Sequence, residues 1–208
     1  MNPLMKIGTF LVALFFLSCA KTASKDIYKD DFNRADGPVG TSYTTVAPSP
    51  SSFQITGGRA YPMFNVSQPA ILFNPPLTTN YKASVTMQIS GGTYTGSGYI
   101  LARSTANNTP NNAFACGYNG GALVLLRVIG GSAVILGSIT LAPLVSGTSD
   151  RVVLTVDKYT IRCEIKGGVN NSVILVVDST YSDGGYVGLM GGAANNFLYF
   201  DDLLIENL

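Results

Sequence analysis

The chain has 208 residues, 13 Lys and Arg against 12 Asp and Glu, a net charge of +1, and no His or Trp. That balance leaves no basic stripe for a nucleic acid, and the missing His removes the usual general base and the commonest metal ligand. With 46% hydrophobic and 12% charged residues, and 23 Gly and 10 Pro interrupting the apolar runs, the composition fits one domain of many short strands with a sizeable core.

At the amino end, Lys6 precedes an apolar run from Ile7 to Leu17. It is too short to span a bilayer and matches the hydrophobic region of a secretory signal. The run closes on Phe16-Leu17-Ser18-Cys19, which resembles the lipobox of bacterial lipoproteins, with Phe16 where Leu is usual. The resemblance implies a signal over residues 1–18, a diacylated Cys19, and a polar tether over residues 19–28. The alternative is an ordinary signal cut near Ala20 or Ala23. Acyl chains at about 0.8 kcal/mol per buried CH2 hold such a cysteine firmly on a membrane. Ala20 in place of Asp after the cysteine agrees with an outer-membrane or cell-surface destination, so an exported, lipid-anchored envelope protein is expected.

From Lys29 to Gly40 the chain reads as a first strand turning at Asp36-Gly37. Short strands follow at Phe53–Ile55 and Ala70–Phe73. Tyr81–Ser90 alternates strictly, with Tyr81, Ala83, Val85, Met87 and Ile89 on one face and polar residues on the other, the pattern of a half-buried strand. Gly98–Arg103, Ala113–Tyr118, Arg151–Val156, Thr160–Lys166 and Tyr186–Met190 continue the series. Ala122–Ile129, Ala133–Ile139 and Ser172–Val177 are apolar on both faces and predict deeper or central strands. Asn119-Gly120-Gly121, Gly130-Gly131 and Gly167-Gly168 supply hairpin turns, so consecutive strands are expected to be antiparallel. Cys116 and Cys163 lie in alternating segments. In an exported protein they form either a disulfide or two buried thiols.

Asp31-Phe32-Asn33-Arg34-Ala35-Asp36-Gly37 and Phe53-Gln54-Ile55-Thr56-Gly57-Gly58-Arg59-Ala60 resemble the opening of concanavalin A-like lectin and glucanase domains, to which laminin G-like jelly rolls are related. Gly98–Arg103, Phe114–Gly121, Arg151–Gly167, Gly188-Leu189-Met190 and Phe200-Asp201-Asp202-Leu203 agree with it. The resemblance implies an all-β, antiparallel two-sheet jelly-roll sandwich of the concanavalin A-like type over residues 29–208. It also implies that the first strand lies beside the last, near Phe197–Ile205, with Phe32 buried between them.

The glucanase chemistry of that superfamily needs two carboxylates flanking the scissile bond. No Asp or Glu stands between Gly37 and Ser149, and the Glu-x-Asp-x-x-Glu pattern is missing. Asp157 and Asp183 read as turn residues, Glu164 alternates outward and Asp178 ends a strand, so no enzyme is expected. Gly91–Gly98 lacks the Lys of a phosphate loop and reads as a connection between strands. Relatives often hold a structural calcium, and Asp30, Asp31, Asp201 and Asp202 are the candidate ligands if the terminal strands pair. The plain alternative is solvated charge guarding strand edges.

Carbohydrate recognition needs aromatic faces and donors for hydroxyls. Tyr99 and Arg103 alternate onto one face with Leu101, Tyr94 precedes them and Arg127 lies on a nearby strand. These four form the candidate ligand patch, set against the reading that Tyr99 packs in the sandwich and the arginines solubilise the surface. The amides of Asn107-Asn108-Thr109-Pro110-Asn111-Asn112 lie at the expected rim. A non-catalytic carbohydrate-binding module is therefore expected, with a protein-binding adhesin or envelope module as the alternative and a glycan-degrading enzyme as the last.

Overall fold

The computed structural model describes residues 26–46, 53–63, 69–77, 80–105, 111–192 and 198–208. Among them there is no helix. The strands are β1 (Asp26–Asp30), β2 (Gly37–Pro38), β3 (Tyr43–Val46), β4 (Phe53–Thr56), β5 (Arg59–Pro62), β6 (Ala70–Phe73), β7 (Tyr81–Ile89), β8 (Ser97–Ser104), β9 (Asn112–Asn119), β10 (Ala122–Ile129), β11 (Ser132–Thr140), β12 (Ser149–Asp157), β13 (Thr160–Lys166), β14 (Ser172–Val177), β15 (Tyr186–Gly191) and β16 (Leu198–Asn207). They build a nine-stranded sheet, β14-β13-β12-β7-β16-β5-β4-β2 with β1 also on β16, and a seven-stranded sheet, β11-β10-β9-β8-β15-β6-β3. The pairings are antiparallel, and the molecule is a two-sheet jelly-roll sandwich.

The period-2 patterns explain the core. β7 turns Tyr81, Ala83, Val85, Met87 and Ile89 into it, and β13 turns Ile161, Cys163 and Ile165. Phe53, Phe114 and Phe200 fill the space between the sheets. At the β9–β10 turn, Gly120 and Gly121 have φ of +57° and +88°, the double positive φ that a two-residue hairpin of this hand requires. Cys116 on β9 and Cys163 on β13 are joined by a disulfide across the core, with Cα atoms 5.4 Å apart, so the bridge ties one sheet to the other.

The terminal strands pair as expected, with Tyr28 opposite Ile205 and Asp30 opposite Leu203. β1 begins at Asp26, inside the stretch read as tether, and the Tyr28 ring lies 4.1 Å from that of Phe73. Phe32 is fully buried with φ of 52°, its N–H donating to Asp30 Oδ1 at 2.7 Å. Beyond the turn, Asp36 accepts from the Gly57 N–H at 2.8 Å.

Two expectations are corrected. Ser172–Val177 and Ala133–Ile139 are not central strands but the edges of the two sheets, β14 and β11. Apolar residues on both faces do not distinguish a strand buried on both sides from an edge strand with an apolar outer face. Val173, Leu175 and Val177 belong to the second kind. Of the three segments read as apolar on both faces, Ala122–Ile129 alone is buried on both, as β10. The outer face of the seven-stranded sheet carries its own apolar cluster, in which Leu72, Tyr99, Leu101, Val124, Leu126 and Met190 pack together.

Candidate functional site

β8 sends Tyr99 and Leu101 to the outer face and Ile100 and Ala102 into the core. At Arg103 the alternation breaks: its φ is 50°, and Gly185 lies so close that a Cβ there would sit 2.7 Å from the Arg103 Cα. The side chain therefore does not join Tyr99. It runs across the end of the sandwich, where Nη1 donates to Lys158 O at 2.6 Å and to Tyr181 O. The Arg103 N–H donates to the Tyr81 hydroxyl at 2.8 Å. The residue is only 4% exposed, and burial lowers its pKa against the opposing pull of Tyr81, Asp183 and Asp157.

Arg103 lines an open depression of ≈ 530 Å³ at this rim, together with Leu77, Ser104, Thr105, Ser182, Asp183 and Tyr186. Among the described residues, two buried polar atoms of its lining, Arg103 Nε and Thr105 Oγ1, have no hydrogen-bond partner. Such atoms are uncommon in folded proteins, because each forfeits its bonds to water without replacement. The exposed Ser182 and Asp183 and the half-buried Tyr186 complete a lining of donors, acceptors and one aromatic ring.

Arg127 lies elsewhere and is also engaged. It donates to Asp178 Oδ2 at 2.8 Å and Thr180 Oγ1 at 2.9 Å, pinning the segment after β14 against the seven-stranded sheet. Burial pushes the Asp178 carboxyl up, but hydrogen bonds from Thr180 and the Arg127 charge outweigh it, and its pKa ends below the usual value. In the same segment, the Tyr181 hydroxyl donates to Val128 O and its ring meets Phe114 edge-on at 5.3 Å. Both arginines thus brace residues 178–185.

Tyr94 belongs to the core. It is 2% exposed, packs edge-on against Tyr118 at 6.5 Å, and burial pushes its phenol pKa up. Tyr99 is buried on the outer face and lines a second cleft of ≈ 460 Å³ with Ser97, Asn119, Leu126, Ile135 and Met190. The four residues expected to form one patch therefore occupy four different settings. Of the asparagine run, Asn107 and Asn108 lie outside the described residues, as does Cys19. Asn112 on β9 bonds the β10–β11 turn, its Oδ1 accepting from the Gly130 N–H at 3.1 Å.

The candidate calcium ligands are dispersed in their roles. Asp30 is buried and saturated, accepting from the Phe32 N–H, from Arg34 Nη1 at 2.8 Å, from Tyr43 at 2.9 Å and from Tyr28 at 3.1 Å. Asp31 caps the Asn33 N–H and Asp201 the Asp202 N–H. Among the described residues no group of three or more His, Cys, Asp or Glu could hold a metal ion. Sequence reasoning missed Asp150, which is 1% exposed at the start of β12. It accepts from Tyr118 and from Asn170, with the Asn170 amide at 2.8 Å. The only sequence signal was its polar place in the inward row of β12.

No family model matches the chain, and no curated protein does. Solved structures match well. The carbohydrate binding module CBM66 from Bacillus subtilis is 16% identical with a TM-score of 0.66, the match covering 80% of this chain and 96% of that one. The carbohydrate recognition domain of Emp47p is 13% identical at 0.63, covering 88% and 96%. Xylan beta-1,4-xylosidase from Bacillus halodurans is 12% identical at 0.62, covering 86% of this chain but 39% of the enzyme. At these identities the likeness is one of fold, and that fold is the concanavalin A-like jelly roll.

Proposed function

We propose that the chain is a non-catalytic carbohydrate-binding domain and that the rim depression beside Arg103 receives the sugar. One observation carries the reading: Arg103 is held across the sandwich end by carbonyls, and among the described residues its Nε and Thr105 Oγ1 have no partner beside Ser182, Asp183 and Tyr186. Sugar hydroxyls are matched by such a set, a planar donor and a carboxylate acceptor beside an aromatic ring. The structural likeness to modules named for carbohydrate supports it. The described carboxylates form no facing pair across either cavity, which supports binding without hydrolysis. The lipobox-like Phe16–Cys19 supports delivery to the cell envelope on a lipid anchor, tested by loss of palmitate labelling in Cys19→Ser.

The binding test is a glycan array followed by calorimetry on the best ligand. Thr105→Val and Asp183→Asn are expected to weaken binding at least tenfold while the thermal midpoint holds. Arg103→Ala is unsuitable, because it also cuts the braces to Lys158 and Tyr181. Unchanged affinity in both variants refutes this site, and an array with no ligand refutes the carbohydrate reading. A protein ligand is the second reading, favoured by the apolar walls of the other cleft, Leu126, Ile135 and Met190. Loss of a protein partner with Tyr99→Ala, and not with Asp183→Asn, is its signature.

A further inference from the structure

Sheet edges invite pairing with other chains, and folded proteins usually blunt them with charge, proline, bulges or short strands. The other edges here follow that practice. β1 carries Asp26, Lys29 and Asp30, β2 has two residues and one is Pro38, β3 has only four residues, and the β10–β11 ladder is bulged between Leu125 and Leu126. β14 does not. Its six residues contain no charge and no proline, and its register with β13 runs without a bulge. Among the described residues no backbone hydrogen bond reaches Ser172–Val177 from the other side.

The edge is also where exposed apolar side chains collect. Val173, Leu175 and Val177 are 45%, 61% and 82% exposed. Tyr159 and Val169, in the turns flanking β13, are 49% and 46% exposed. On the core side, Gly137 of β11 packs directly on Ile174. Arg162 and Glu164, paired at 2.8 Å on β13, form a charged border.

We propose that β14 pairs antiparallel with β14 of a second copy, about a two-fold axis through Leu175. The strand is complementary to itself in that arrangement. Leu175 meets Leu175 of the copy, Val173 meets Val177 on the outer face, and Ile174 meets Val176 on the core side. An isologous contact needs this property, and a strand carrying one charge off the axis would lack it. The net charge of +1 opposes the approach of two copies very little. The two nine-stranded sheets then become one continuous sheet, and the dimer carries two rim depressions, with the gain in avidity that two sites bring to a polymeric ligand.

Single cysteines test the register in a Cys19→Ser background. Across the axis the Leu175 Cα atoms lie about 5 Å apart, within disulfide reach. Leu175→Cys is expected to give a covalent dimer under mild oxidation. Val173→Cys alone is expected to give none, because its own copy lies about 14 Å away along the strand. A mixture of Val173→Cys and Val177→Cys is expected to cross-link. Leu175→Lys is expected to sediment as a monomer with an unchanged circular dichroism spectrum. A wild-type chain that sediments as a monomer at every concentration overturns the proposal, as does cross-linking of Val173→Cys with itself as efficient as that of Leu175→Cys.

Discussion

Replacing Cys116 and Cys163 together by alanine tests the link between the two sheets. The bridge spans a sequence separation of 47 residues. Releasing a loop of that length in the unfolded chain costs about 4 kcal/mol of stability by chain entropy. Both side chains are fully buried, so the lost sulfur contacts add ~1 kcal/mol. A total near 5 kcal/mol is a large share of the 5–15 kcal/mol that holds a typical domain together. With a urea dependence of roughly 2 kcal/mol per molar, the midpoint moves down by about 2.5 M. Tyrosine fluorescence follows the transition, since the chain has 11 Tyr and no Trp. Peptide mapping without reductant should recover the two cysteines as one linked fragment. A loss below about 1 kcal/mol at unchanged slope, or free thiols in the native protein, would refute the reasoning.

Asp30 makes stability depend on pH. Burial raises its carboxyl pKa, but hydrogen bonds from Arg34, the Phe32 N–H and Tyr43 more than offset that, and the folded value lies below the ordinary one. Its contribution is therefore complete above about pH 4 and fades as the pH falls through the folded value. Asp30→Asn should lose stability near neutral pH and converge on the wild type as the pH falls below the folded value, read from urea melts down into the acid range. Gly117→Ala should cost at least about 3 kcal/mol or abolish folding, because its Cβ would stand 2.0 Å from Gly98 O in backbone that cannot yield. Arg127→Ala leaves the nearly buried Asp178 without its cation. It should cost ~2 kcal/mol, less than a fully buried pair because Arg127 is 26% exposed, and should speed limited proteolysis within residues 178–185.

The strands were legible because each records its burial in alternate residues. Thr160–Lys166, Ala122–Ile129 and Ser172–Val177 coincide with β13, β10 and β14. The position of a strand within its sheet was not legible, because side chains report burial on two faces and say nothing of whether the hydrogen-bonding edge is occupied. β14 shows this plainly. Arg103 shows a second limit. Alternation predicts its direction only while φ stays extended, and the left-handed backbone at Arg103, packed against Gly185 just before the neighbouring β15, sends the guanidinium across the sandwich end. That Tyr94 and Arg127 stand apart from Tyr99 was not legible either, because burial and pairing depend on partners such as Tyr118 and Asp178, which only the assembled fold brings near.

The pairing of the first strand with the last governs when the fold can form. β16 is not an edge; it stands between β7 on one side and β5 and β1 on the other, so the nine-stranded sheet has a gap at its middle until Leu198–Asn207 is in place. During synthesis the aromatic cluster of Tyr28, Tyr43 and Phe73 can gather early, yet Asp26–Asp30 has nothing to bond to for some 170 residues. Until β16 has been made the central seam stays open, and the pairings with Asp26–Asp30, Arg59–Pro62 and Tyr81–Ile89 all wait on that one strand.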